Sequence, residues 1–569
     1  MIAGEGRTPA RQGVPPRAHA LAPRFARPGA LVILLTHPVC LGALSGVLAL
    51  AFALWGPPGA DLPAHLYETD AWREHGFRVW DNLWYGGRYA QVSYSPLFPP
   101  LAALLSPEAV AAISAAGASA AFAQALRARW GPQSAWAAVA FAFLGPTAVL
   151  SGQLPFLLGT ALALGALAAL QSERVALALA LLLLTVLASP LALAFALVPL
   201  IAIAATMPAW WRRRRLVVAA AGVCAIVALL WLQQRALARG GARYPAGLGE
   251  AITIGLGCAT GLALAWRVAG QRLMVGVFAA YAALGVVALA VPSPLGGNWV
   301  RLAVYMAAPL LLVPMAARRF RPRALVLPVL AIVLAWQVAY VVTVARENAA
   351  TRSSEEAFWR PVQEFLARHA DPDFRVEAVA TTGKWEAYYL PRHGVPIIRG
   401  WFRQDDWPQN APLYDDPLTS DAYRRWLREV GVRYVVLPDD HRDQSARAEA
   451  LMLRRGSVLP EVARLPGWIV YELPDATPIA TPAAGIRVTA LDEATVTLSV
   501  ARAGTYRLRL THTPYWRVEG RACLEPREPW GITLHAAAPG RVVLRVDVTP
   551  GRVLDALLGR SRGCTAEPA

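Results

Sequence analysis

Lysine is all but missing from this chain: of 55 basic residues, only Lys384 is a lysine. The bias toward Arg and Ala is that of a GC-rich genome. Acidic residues are scarce ahead of Arg346, where nine occur. Cysteine is sparse too, with five residues and no zinc-type spacing. Cys40, Cys224 and Cys258 fall in apolar runs, where a thiol behaves as a small hydrophobe. Cys523 and Cys564 lie in the polar second part, where pairing requires an oxidising compartment. The formal charge of +17 invites a nucleic-acid reading, yet 29 acidic and 29 basic residues follow Arg346, so the excess sits before it. There it gathers in short connections: Arg24 and Arg27, Arg127 and Arg129, Arg212 to Arg215, Arg267 and Arg272, then Arg318, Arg319, Arg321 and Arg323. That is positive-inside patterning, and it calls for no nucleic acid.

What is abundant is apolar sequence. With 56% hydrophobic residues and a mean hydropathy of +0.38, the first part reads as a bundle of membrane-spanning helices. The expected spans are Ala30 to Trp55, Glu108 to Ala125, Gln133 to Leu150, Leu154 to Gln171, Val175 to Ala188, Leu191 to Met207, Leu216 to Leu232, Ala251 to Trp266, Leu273 to Val291, Arg301 to Ala316 and Ala324 to Val344, about eleven in all. The Pro- and Arg-rich residues 1–29 read as a disordered cytoplasmic N-terminus, and the first apolar run as a retained helix rather than a signal peptide. Parity then places the first loop, 56–106, outside, with the loops Gln233 to Glu250 and Pro292 to Val300 and everything beyond 345. The glycines of GLGCATG, Gly255 to Gly261, resemble a dinucleotide loop only superficially. Lying in an apolar span with no strand before them, they read as a small-residue helix contact.

Past Arg346 the apolar runs shorten. FWRPVQEFLARHA is helical, and LTSDAYRRWLREVGVRYVVLPDD is an amphipathic helix running into a strand, so 346–475 reads as a small α/β unit. IRVTALD, TVTLSV, TYRLRLTH, ITLHAA and RVVLRVDV alternate or are β-branched between Gly- and Pro-containing turns, which makes 476–569 a β-sandwich-like unit.

Five of the nine early acids, Asp61, Glu68, Asp70, Glu74 and Asp81, fall close together in the first loop. Asp61, His65 and Glu68 are spaced to share a helix face, with Leu62, Leu66 and Trp72 free to rest on the membrane interface. The aromatics of WDNLWYGGR and YAQVSYSPLFPP suit stacking against sugar or lipid. The plainer alternatives are that Asp61, between Gly59 and Pro63, only caps a helix, and that His65, Glu68 and Asp70 form a solvated face.

From the first span to Leu105, the order of apolar helix, Asp, short amphipathic helix, WYGG and YSPLFPPLAALL resembles the GT-C-fold integral membrane glycosyltransferases, particularly the bacterial 6-pyruvoyl-tetrahydropterin-synthase-related membrane proteins. SGQLPFLLGTALALGALAAL (Ser151 to Leu170) and GGNWVRLAVYMAAPLLL (Gly296 to Leu312) are similar to that group too. The resemblance covers 30–345 well and the soluble part loosely. It implies a GT-C-like transmembrane domain in a bacterial plasma membrane. It also implies a polyprenyl-phosphate-linked sugar donor, a cell-envelope glycan or other outer-surface acceptor, and inversion at the anomeric carbon. Asp61 matches the position of the catalytic base, and a positioned carboxylate can take a hydroxyl proton as the sugar–phosphate bond breaks. A leaving phosphate needs cations or donors, for which Arg301 and Asn298 after GGNW are the first candidates, Arg301 because the resembled pattern carries an Arg there. Arg235, Arg239 and Arg243, which run against the positive-inside trend, are others. A helix-end anchor is the competing role for Arg301. His65, Glu68, Asp70, Arg88, Tyr94 and Gln153 complete the substrate-binding expectation. A divalent cation on Asp61, Glu68 and Asp70 is chemically admissible, though the resemblance requires none.

A lipid or solute transporter, or a non-catalytic scaffold with a cell-wall-binding outer domain, is the rival class. A transporter places ionisable groups near the bilayer midplane on broken helices. Here the apolar runs are nearly free of acids.

Overall fold

The computed structural model describes residues 36–207, 214–237, 244, 246–291, 293, 296–415, 417–456, 458–560 and 564. Every apolar run expected from the sequence coincides with a helix or part of one, within those residues. Among the described residues eight stretches are long and apolar enough to cross a membrane, by length and composition: Pro38–Trp55, Pro107–Ser151, Leu154–Gln171, Arg214–Leu237, Leu248–Ala265, Arg272–Ala290, Gly296–Ala317 and Arg323–Ala349. Val175–Ala188 and Pro190–Thr206 are apolar but shorter. The chain thus reads as a polytopic membrane protein, with eight full-length candidates in place of eleven. Part of the difference lies in Pro107–Ser151, where Gly131, with φ 72°, ends one helix at Trp130 and a short turn leads into a second at Ala135–Leu144.

Small residues set the closest helix contacts, as expected where lipid is as apolar as the partner helix. A Cβ on Gly42 would stand 2.9 Å from the Ala116 carbonyl oxygen, so Pro38–Trp55 lies directly on Pro107–Trp130. The GLGCATG expectation holds only at its end. Gly261 accepts the Phe278 ring, whereas Gly255 and Gly257 have nothing within 4 Å of an added Cβ.

The polar half contains a four-stranded sheet in the order Arg375–Ala378, Val432–Pro438, Trp468–Glu472, Glu461–Leu465, the first pair parallel and the others antiparallel. Thr419 caps the helix Ser420–Val430 by accepting from the Ala422 amide. Gly431 ends it in the left-handed region, and Val432 begins the strand, as the sequence order predicts. Beyond Pro478 two four-stranded sheets face one another across a core of Val488, Val496, Leu498, Leu508, Leu534 and Leu544. Three strands, Ala480–Thr481, Trp516–Glu519 and Ala522–Pro526, were not legible in the sequence. Cys523 and Cys564 form a disulfide.

The first loop departs most from expectation. Four of its aromatics do not lie on an interface but are buried in the polar half, while Phe98 packs among the apolar helices. Trp84 and Tyr85 enter the core of the α/β sheet, while Trp80, Leu83 and Tyr89 enter the sandwich core. A two-stranded hairpin, Trp80–Asp81 with Arg88–Tyr89, carries them. Polar bonds fasten it at each side: Trp84 Nε1 donates to the Ala387 carbonyl at 3.0 Å, Tyr85 Oη to Phe402 O at 2.7 Å, and Asn82 Nδ2 to Asp492 O at 3.0 Å. Leu62 and Leu66 likewise pack against the α/β core rather than lipid. Large aromatics read the same in sequence whether their partner is lipid or a domain hundreds of residues later.

Candidate functional site

Asp61 stands at the N-cap position of Leu62–His75, yet its side chain makes no capping bond. Its amide donates to Ser151 O at 3.0 Å, and Gly59 and Gly152 meet back to back beneath it. A Cβ on Gly59 would lie 2.0 Å from the Gly152 nitrogen. The carboxylate is thereby turned toward the helix Val300–Ala317, where Arg301 Nη2 donates to Oδ2 at 3.0 Å. Arg301 is aimed by the turn before it. Trp299 is buried against Gly285, and its carbonyl accepts from Tyr281 Oη at 2.8 Å. Burial raises the Asp61 pKa above the ordinary carboxylate value, and the Arg301 guanidinium opposes that rise.

Asp61 and Arg301 line a cavity of about 720 Å³ between the helical half and the polar half, together with Tyr94, Asn298 and Arg88. Five sequence candidates therefore share one space. Arg301 also lines a second cavity of about 170 Å³, walled by Phe122, Phe156, Leu164, Phe195, Leu302 and other side chains of the apolar helices. Arg301 stands where the polar and apolar spaces meet.

Other candidates fall elsewhere. His65 is buried among the rings of Tyr94, Phe98 and Trp401, with centroids 6.0, 5.6 and 6.4 Å away. Desolvation, helped by Arg301, drops its pKa to about 3, so the imidazole is neutral. Glu68 pairs with Arg88 at 2.9 Å. Asp70 turns the other way, accepting from Arg73 and Tyr388, each at 2.9 Å. The three carboxylates of the suggested cation site thus point to separate partners. Gln153 neither caps nor lines the larger cavity; its Oε1 accepts from Tyr305 Oη at 3.1 Å. Arg235 is exposed and outside the cavity wall, and Arg239 and Arg243 lie outside the described residues.

Arg88 lines the cavity, but its charge is spent on structure. It is 1% exposed, with Nη1 on Glu68 and Nη2 donating to Ser93 Oγ at 2.9 Å. Its Nε lies 3.6 Å from Asp405, and the guanidinium lies over the Phe402 ring at 4.5 Å. Arg88→Met should therefore destabilise the fold by about 3–5 kcal/mol, because Glu68 is left buried without its partner. Adding Glu68→Gln should restore part of that loss in the same thermal unfolding measurement.

The far wall of the cavity comes from the polar half, and sequence reading missed it: Lys384, Trp401, Phe402, Arg403, Asp405 and Asp443. Trp401 Nε1 donates to Ala60 O at 2.8 Å, joining that wall to the residue before Asp61. The signal that pointed there was the solitary lysine.

No protein-family profile matches the chain, and no curated protein matches it. Among solved structures it is similar to the arabinofuranosyltransferase AftD from Mycobacteria, at 17% identity and a TM-score of 0.44. That match covers 77% of this chain and 40% of the other, so this chain spans less than half of that protein's length.

Proposed function

We propose that the protein is a GT-C-like membrane glycosyltransferase that moves a sugar from a polyprenyl-phosphate donor to an acceptor outside a bacterial plasma membrane. The carrying observation is the placement of Arg301, between a polar cavity holding Asp61 and an apolar cavity among the helices. A lipid phosphate has that same division: apolar chain, anionic head, then sugar. The isoprenoid enters among the helices, Arg301 takes the phosphate, and the sugar occupies the larger cavity. The N-terminus is cytoplasmic in this reading, and the Cys523–Cys564 disulfide fits an outward-facing polar half.

Chemistry follows from the ion pair. With the site empty, the Arg301 guanidinium opposes the rise that burial causes and so weakens Asp61 as a base. When a phosphate occupies the guanidinium, Asp61 keeps its desolvated setting and loses part of its counter-charge, so it binds a proton more tightly. It takes the proton of the acceptor hydroxyl as oxygen bonds to the anomeric carbon. The carbon–phosphate-oxygen bond breaks, and polyprenyl phosphate leaves with the electron pair. One base on one face suits direct displacement with inversion.

Arg301→Gln should weaken binding of polyprenyl phosphate about tenfold or more, the loss of a charge-assisted contact. Native mass spectrometry of the chain in lipid-exchanged detergent measures it. Equal binding by wild type and variant would remove the phosphate from Arg301 and with it this reading.

A further inference from the structure

The wall contributed by the polar half has its own charge pattern. Arg403 Nη2 is held by both Asp443 oxygens, at 2.8 and 2.9 Å, and Asp443 also accepts from the Ser445 amide and hydroxyl at 2.9 and 2.6 Å. Across the cavity Arg88 is matched by Glu68, and Arg301 by Asp61. Lys384 is the exception. It is 6% exposed and donates to the Trp401 carbonyl at 3.2 Å, with no carboxylate at ion-pair distance among the described residues. An ammonium has three donors, so two remain for the cavity that Lys384 lines.

A buried cation without a paired carboxylate is costly to fold, and this chain uses arginine at every other basic position. The backbone is costly as well. Gly383 and Lys384 are successive residues in the left-handed region, at φ 78° and 57°, a conformation the lysine adopts against its own preference. The turn is tied in place: the Lys384 amide donates to Thr381 O at 2.9 Å, and the Trp385 amide to Thr381 Oγ1 at 3.0 Å. Thr381 Oγ1 in turn donates to Glu386 at 2.7 Å. Gly383 sits against the first loop, with an added Cβ 3.6 Å from Ala60 Cα, so the turn is registered to the Asp61 segment. Desolvation lowers the Lys384 pKa, and the nearby Asp406 and Asp443 carboxylates oppose that. Asp406 is itself held by Asn410 and Tyr414.

We propose that Lys384 and Arg403 form a second anion subsite, on the polar-half wall, that takes a phosphate or carboxylate on the acceptor. This rests on the transferase reading for the word acceptor; the subsite itself does not need it. Arg301 holds the donor's phosphate on the helical wall, and Lys384 selects acceptors that bring their own negative charge.

The solitary lysine makes the test direct. Biosynthetic incorporation of ¹³Cε,¹⁵Nζ-lysine into the full chain, reconstituted in nanodiscs of unlabelled scaffold protein, labels the one lysine, Lys384, without altering its donors, and Lys384→Arg identifies the signal that disappears. Titration with inorganic phosphate, glucuronate and neutral methyl glucoside follows by NMR. The expected result is a saturable shift of the Lys384 signal with phosphate or glucuronate, whichever oxyanion the subsite takes, and none with the glucoside. Arg403→Gln should weaken that response about tenfold, while Arg301→Gln leaves it intact. The proposal is overturned if neither anion shifts the signal or if the glucoside shifts it equally. Loss of the response in Arg301→Gln overturns it too, since the anion would then sit at the donor position.

Discussion

Asp61→Asn lowers turnover about 10²- to 10⁴-fold, the range lost when a positioned general base is removed, while the chain stays folded. Asn keeps the shape and can still accept from Arg301 across the 3.0 Å contact now made by the carboxylate. What it cannot do is accept a proton. In the proposed mechanism activity depends on the ionised carboxyl, and burial raises its pKa, so activity should fall with decreasing pH through a value above the ordinary carboxylate range. That acid limb should be missing from the residual activity of the variant. The measurement is transfer from a polyprenyl-phosphate sugar by the reconstituted protein across pH. An unchanged rate means the carboxylate is a structural partner of Arg301 and nothing more.

Gly152→Ala has the second large effect, and it acts without touching substrate. Gly152 has φ 73°, and its Cβ would lie 2.5 Å from the Leu62 nitrogen and 3.0 Å from the Asp61 nitrogen. The left-handed backbone alone costs about 1–2 kcal/mol for an L-residue. Relieving a clash with main chain moves the Asp61 segment, so the total should reach roughly 3 kcal/mol. A displacement of about 1 Å at the base costs on the order of 10²-fold in rate. Gly76→Ala is the control. Its φ is 72°, but nothing lies within 4 Å of the added methyl, so it should carry only the backbone term and retain activity. Thermal unfolding in detergent with turnover on the same samples separates the two.

The legible parts of this protein were those whose signal is local. A helix of apolar residues needs no partner to be recognised, and the capped helix Ser420–Val430 announces its start with Thr419 and its end with Gly431. Alternation exposed five strands of the sandwich, whereas Ala480–Thr481 is too short to alternate. Asp61 and Arg301 were named together through a resemblance, 240 residues apart, and the structure brings them to 3.0 Å. The crowding of acids in the first loop was read as chemistry, and the structure gives three of those carboxylates side-chain partners of their own. Glu68 serves Arg88, Asp70 serves Tyr388 and Arg73, and Asp81 accepts from Tyr67 at 2.8 Å. Apart from Arg73, which lies three residues on from Asp70 along the same helix, those partners are set by folding, and no spacing in the loop encodes them. The polar-half wall was illegible for the same reason: Trp401 reaches Ala60 across 341 positions.

The buried hairpin bears on how such chains can diversify. Trp80, Trp84, Tyr85 and Tyr89 occupy sockets in two different β structures, so the polar half is not an interchangeable attachment. A foreign domain grafted after Ala349 would leave four large aromatic rings homeless beside Asp61. Recombination between relatives would have to exchange the hairpin and its sockets in one event.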